Sequence, residues 1–256
     1  MMDYQAKIRD YASIIDDLFE KYQDDPIPAA HRLDEADCGE IEFARGCFMH
    51  RGFYCPSPIE EFVISNVRRG HLQKKRTASS TYEYSFDRMG QLRKAVRICK
   101  FPDVETIWRE GNFEIGLTAT CILPMLEVVT LTEWNSNFPS FYCGAVTGSG
   151  RWYEFFRFNG CELEEAHVFD VEDINRDKDI REAVLRHCPN LAENMERIKA
   201  LAVDGLAITD HYYLRFDKNA GKCFVRCDSP LHRTSEWTVP YKGISSAFFQ
   251  SHELGV

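Results

Sequence analysis

The stretch that decides the fold is Phe113-Glu114-Ile115-Gly116-Leu117-Thr118-Ala119-Thr120-Cys121. Phe113, Ile115, Leu117, Ala119 and Cys121 fall on one side and Glu114, Gly116, Thr118 and Thr120 on the other, the period-two pattern of a strand with one buried face. Gly111-Asn112 precedes it, and Val104 to Glu110 lies before that turn, so the two runs form a hairpin. The pattern extends both ways. Upstream, Tyr82, Tyr84 and Phe86 share a face, Asp87-Arg88-Met89-Gly90 turns, and Leu92, Val96 and Ile98 return. Downstream come Leu126 to Trp134, Ser140 to Thr147, Arg151 to Phe158 and Cys161 to Phe169. They are separated by Asn135-Ser136-Asn137, Gly148-Ser149-Gly150 and Asn159-Gly160. Consecutive strands with short turns are antiparallel neighbours, hence a meander.

Helical spacing flanks this core. Tyr4, Ile8, Tyr11, Ile15, Leu18 and Tyr22 line one face of a helix over 3–22, ended by Asp24-Asp25-Pro26. Ser57, Pro58 and Glu60 form a capping box that opens a helix running to about Arg69, with Gly70 as its stop. From Asp170 to Asp204 apolar residues again recur at three and four, broken at Pro189, which predicts two short helices. A last hairpin joins Tyr212–Phe216 to Lys222–Cys227, and the tail from Ser229 has no clear period. The expected fold class is therefore α+β: an antiparallel meander with an N-terminal helix, a short capped helix and a helical pair before a C-terminal hairpin. No Gly/Ser-rich linker divides the chain, so one composite domain over 1–256 is expected. Its parts are a helical, loop-rich cap (1–75), the meander (76–171), the helical pair (172–204) and the hairpin with its tail (205–256).

The chain has 256 residues, with 44% hydrophobic and 28% charged, an ordinary globular balance. No apolar run nears the roughly 20 residues of a membrane helix, and Asp3, Lys7, Arg9 and Asp10 do not resemble a signal peptide. A cytoplasmic protein with reduced, mostly buried thiols is expected despite its ten cysteines. The net charge of −9 is unevenly spread: −7 over Met1–Glu40, +8 over Arg68–Lys100 and −6 over Glu162–Glu182. The last block, Glu162, Glu164, Glu165, Asp170, Glu172, Asp173, Asp177 and Asp179, is the candidate partner-binding surface, because clustered acids steer a basic partner. A solvated face whose charges protect strand edges is the plainer alternative.

Tyr84-Ser85-Phe86-Asp87-Arg88-Met89-Gly90-Gln91-Leu92 resembles the Y-x-Y-D-x-x-G-x-L signature of YD repeats, the hairpin unit of RHS proteins, with Phe86 in place of the second tyrosine. Phe156–Gly160 and Leu214–Asp217 are weaker echoes, without a fixed period. Small YD-like meanders are similar to immunity proteins of bacterial polymorphic toxin systems. The resemblance implies a non-enzymatic inhibitor that binds a protein partner, a basic toxin domain.

No reaction motif stands out: there is no G-x-S-x-G elbow, no H-E-x-x-H helix and no phosphate-binding glycine loop. No cofactor is expected. The alternative is a hydrolase with a dispersed Cys/His or Asp/His set. Cys143, Cys188 and Ser251 are the candidate nucleophiles by position near a turn or a histidine. His187 beside Cys188 is uninformative because helix neighbours point apart, and Asp210-His211 could orient a general base. Cys38, Cys47, His50 and Cys55, with His31 nearby, are the best metal ligands by type, but only Cys47 and His50 have ligand-pair spacing, and no metal is expected. Cys223 and Cys227 would lie roughly 13 Å apart on one strand, too far to share an ion. The basic run Arg68–Arg76 lacks stacking aromatics, which argues against nucleic acid as a partner.

Overall fold

The computed structural model describes residues 3–47, 50–57, 59, 69–120, 125–135, 138–146, 150–175, 182, 186–188 and 191–241. It is mainly antiparallel sheet, with an N-terminal helix and a few short helical segments. Among the described residues there are thirteen strands. No helix among them is long and apolar enough to cross a membrane.

The chain divides into two compact units, Met1–Ile14 with Cys143–Lys242 (the C-terminal unit) and Ile15–Tyr142 with Gly243–Val256 (the central unit). The division falls inside helix α1 (Tyr4–Tyr22) and inside strand β8 (Phe138–Val146). Asp3 caps α1, its carboxylate accepting the Ala6 N–H at 3.1 Å. The apolar stripe of α1 is buried as its spacing requires, from Ile8 and Tyr11 to Leu18 and Tyr22.

The central unit holds β1 (Cys38–Arg45), β2 (His71–Gln73), β3 (Ser80–Asp87), β4 (Leu92–Arg97), β5 (Asp103–Glu110), β6 (Phe113–Thr120) and β7 (Leu126–Asn135). From β3 to β7 each strand pairs with the next in sequence, as the turns dictate. The meander is interrupted once: β1 inserts between β2 and β3. Neither β1 nor β2 was expected in what reads as a helical, loop-rich cap. In the β3–β4 hairpin the Asp87 carboxylate accepts the N–H groups of Met89 and Gln91, both at 2.9 Å. Gly90 supplies the positive φ of 77° that closes the turn. Tyr84, Phe86 and Leu92 are then buried against Tyr54, Ala95 and Ile107.

The same tyrosines position a buried cation. The Tyr84 hydroxyl donates to the Arg51 carbonyl at 3.1 Å and accepts the Phe53 N–H at 2.8 Å, which pins a turn at Arg51-Gly52. Arg51 sits there in the left-handed region, φ 57°, uncommon for a residue with a side chain. Its fully buried guanidinium reaches Glu105 at 2.7 Å, Thr130 at 3.3 Å and also Glu114. Gly116 makes room: a Cβ there would stand 2.1 Å from Glu105 Oε1 and 2.4 Å from Thr130 Oγ1. The glycine that interrupts the alternation in the sequence is the clearance for this ion network.

The C-terminal unit holds β9 (Arg151–Asn159), β10 (Glu162–Asp173), β11 (Leu206–Asp217), β12 (Lys222–Asp228) and β13 (Ser235–Pro240), each paired with the next. Helix α2 (Ala192–Leu201) precedes β11 and matches the second of the two expected helices. The first, and the middle of the capped helix after Ser57, lie largely outside the described residues. Ser57 Oγ does accept the Ile59 N–H at 3.2 Å, as a cap would. β10 extends to Asp173 and β11 begins at Leu206, both longer than their alternation indicates.

Candidate functional site

Cross-strand partners in an antiparallel sheet share a face, so the register of β9–β13 places side chains in rows. One row runs Arg157, Glu165, Arg215, Phe224, Thr238. The next runs Phe155, His167, Tyr213, Arg226, Glu236. A third carries Tyr153, Phe169, His211 and Asp228. The first turns of α1 cover one end of this face: Tyr4 packs on Phe155 at 5.1 Å, His167 at 4.5 Å and Phe169 at 5.3 Å.

Beyond Tyr4 the face is open. Tyr213, Arg215, Phe224, Arg226, Glu236 and Thr238 line a shallow groove of about 480 Å³ across β11, β12 and β13. Arg215 lies over the Phe224 ring at 4.8 Å, a cation–π contact. Arg226 pairs with Asp228 at 2.9 Å. The opposite side of the same strands is core: Leu214, Phe216, Cys223 and Val225 are buried. One side therefore holds the fold together, and the other carries exposed arginines and half-buried aromatic rings.

His167 and His211 stand at the covered margin, ring nitrogens 3.0 Å apart. Burial and the neighbouring His211 push His167 down to about 4, and burial lowers His211. Both are neutral at pH 7 and can share one hydrogen bond. On the core side Asp170 and Asp210 are direct cross-strand partners, and burial, then Asp210, pushes Asp170 up to about 6.

The acids named from sequence are placed as follows. β10 is an inner strand, flanked by β9 and β11, and several of its charges are met within the chain. Glu164 and Glu165 share Arg157, Glu165 also accepts the Tyr213 hydroxyl at 3.0 Å, and Glu162 takes Lys218. Asp173 is buried and paired with Arg151, whose guanidinium also donates to the Ala12 carbonyl at 3.3 Å. Asp170 and Glu172 are half-buried; Asp177 and Asp179 lie outside the described residues.

The chemical candidates separate. Asp210 and His211 face opposite sides of β11: Asp210 meets Cys227 at 3.8 Å, while His211 meets His167. His187 and Cys188 are exposed, Cys143 is buried, and Ser251 lies outside the described residues. His31 is stacked on Trp108 at 4.0 Å and bonded to Tyr22. Cys47 and Cys55 are buried thiols, burial raising that of Cys47, and Cys38 begins β1. Among the described residues no three His, Cys, Asp or Glu side chains come together to hold a metal ion. The described cysteines are free; Cys47, Cys55, Cys143, Cys223 and Cys227 are buried, as expected for most of the thiols, while Cys99, Cys161 and Cys188 are exposed. In the basic run, Arg69 is buried and donates to the carbonyls of Phe53, Cys55 and Ser57. The open groove on β11–β13 was not singled out from sequence; the signal was the arginine and aromatic pairs Tyr213, Arg215 and Phe224, Arg226 at period two.

Compared with family models, curated proteins and solved structures, the chain has no match in any of the three.

Proposed function

We propose that this chain is a non-enzymatic binding protein whose open face on β11–β13 receives a protein partner. The observation that carries the proposal is the composition of that face. Arginine and aromatic side chains dominate binding hot spots because they bury large, oriented surfaces with few rotors. Here Arg215 and Arg226 stand exposed beside the half-buried rings of Tyr213 and Phe224, with Arg215 over the Phe224 ring. Arg215 has no carboxylate within ion-pair distance among the described residues, so the partner supplies one; Glu236 offers the reverse charge on the same face.

The class of partner follows from two further features. The net charge of −9 favours encounter with a basic protein. The Tyr84–Leu92 hairpin resembles YD-type immunity proteins, which makes a basic toxin domain the expected partner. The acids of β10, partly neutralised in place, then contribute to approach rather than to the contact itself.

The test is a binding assay against a toxin domain encoded beside this chain. A stable complex, weakened at least tenfold by Phe224→Ala with Arg215→Glu in a folded double variant, is the expected result. Equal affinity of the double variant contradicts the face. Turnover by the isolated chain, with no partner bound, contradicts the non-enzymatic reading.

A further inference from the structure

The central unit contains a cavity of about 440 Å³, within the size range of small-ligand sites. Tyr82, Ala95, Ile98 and Val128 give it apolar walls. Its charged lining is unevenly committed. Arg51 is held by Glu105 and Glu114, and Arg97 is paired with Asp103. Both cations are therefore satisfied by the chain's own acids.

Two acids are not. Glu105 is 3% exposed; its Oε1 takes Arg51 and Thr130, but its buried Oε2 has no hydrogen-bond partner among the described residues. Glu127, also in the lining, forms no ion pair among them. Its position is set by a bulge: Thr118 pairs with Val128 and Ala119 with Leu126, so Glu127 is the extra residue, turned out of the regular ladder. Burial, then Asp103, raises the Glu127 carboxyl, and Arg97, already paired with Asp103, offsets this only in part. His50 also lines the cavity; burial keeps it neutral, and it bonds Thr118 at 3.3 Å, so it adds no opposing charge.

A buried carboxylate oxygen without a donor is uncommon in a folded chain and asks for a group that supplies one. We infer that this cavity binds a small organic cation, an amine or amidine with an apolar body. Its N–H groups would satisfy Glu105 Oε2 and Glu127 while its body packs on Tyr82, Ile98 and Val128. With Glu105 already shared with Arg51 and Glu127 its one carboxylate outside an ion pair among the described residues, the site has too few oxygen ligands for Ca²⁺ or Mg²⁺, which take about six. This site does not depend on partner docking to β11–β13.

The experiment is titration of the full chain with 2-phenylethylammonium, 2-phenylethanol and Ca²⁺, read by calorimetry and by backbone amide NMR. The amine is expected to bind at least tenfold tighter than the alcohol and than Ca²⁺, with shifts at Tyr82, Ala95 and Thr118. Glu127→Gln, which leaves the Arg51 network intact, is expected to weaken the amine at least fivefold without lowering the melting temperature. Binding of neither organic probe, equal binding of amine and alcohol, shifts located elsewhere, or an unaffected Glu127→Gln variant would each overturn the inference.

Discussion

The Arg51 site of the central unit and the open face of the C-terminal unit use the same residue types to opposite ends. Arg51 is fully buried, and its guanidinium is consumed by Glu105, Glu114 and Thr130. Arg215 and Arg226 stand exposed on a sheet face, one resting on an aromatic ring and the other on a neighbouring acid. A buried guanidinium must be matched completely, because desolvation penalises any shortfall. An exposed one needs no such match and remains available to a partner. Burial, more than residue identity, separates the arginines that specify the fold from those that can bind.

That contrast predicts its largest effect at Arg51. Arg51→Met leaves Glu105 buried without a cation and Glu114 with only the longer Arg109 contact at 3.6 Å, and should destabilise by about 3–5 kcal/mol in urea unfolding. Adding Glu105→Gln and Glu114→Gln should restore part of that loss; no recovery would mean that Arg51 acts through packing instead of charge. Gly116→Ala comes next. Its methyl would meet Glu105 Oε1 and Thr130 Oγ1, and the displaced network should cost about 1–3 kcal/mol. A melting temperature equal to that of the parent would show that the network yields more easily than its geometry implies.

Much of this was readable beforehand, for physical reasons. Apolar–polar alternation marks β3 to β10, although β5 to β8 bury residues of both faces and not the single face that alternation implies, and the Asp87–Gly90 turn carries its own chemistry. β1, β2 and β13 left little trace. β13 is almost wholly exposed, β2 has three residues, and β1 buries only Ala44 fully. A strand without a buried face has no period to read. The end of β10 was hidden differently: Asp173 is buried like an apolar residue because Arg151, 22 positions away, neutralises it. Pairing at such range leaves no local signal. The acidic block was legible as charge, but its internal partners Arg157, Lys218 and Arg151 were not. The open groove appears only when register aligns residues from three strands.

A smaller effect is expected at the His167–His211 pair. The groups facing it are Tyr4 from α1, Arg157 from β9, Glu165 and Phe169 from β10, Tyr213 from β11 and Asp228 and Arg226 from β12. Both folded-state pKa values lie below that of a free histidine, so between about pH 4 and pH 6.5 the unfolded chain binds more protons. Stability contributed by the pair is present above about pH 6.5 and is lost as pH falls towards 4. Asp170, raised to about 6, acts the other way: it favours the folded chain in acid and loses that contribution as pH rises through 6. His211→Asn should therefore reduce the loss between pH 7 and pH 5 by about 1 kcal/mol, after discounting for partial exposure, with Asp170 unchanged in both chains. Parallel pH profiles would remove the pair from the account. Smallest of all, Phe224→Ala should change stability by about 0.5 kcal/mol, since its half-buried ring lies on the face opposite the core and matters more to the partner than to the fold.

Amide hydrogen exchange of the chain with and without a bound toxin domain tests the central claim most directly. Slowed exchange across Tyr213–Asp217, Lys222–Asp228 and Ser235–Pro240 is the predicted result, with Glu162–Asp173 little changed. Protection confined to Glu162–Asp173, or none on β11–β13 at saturating partner, would contradict it.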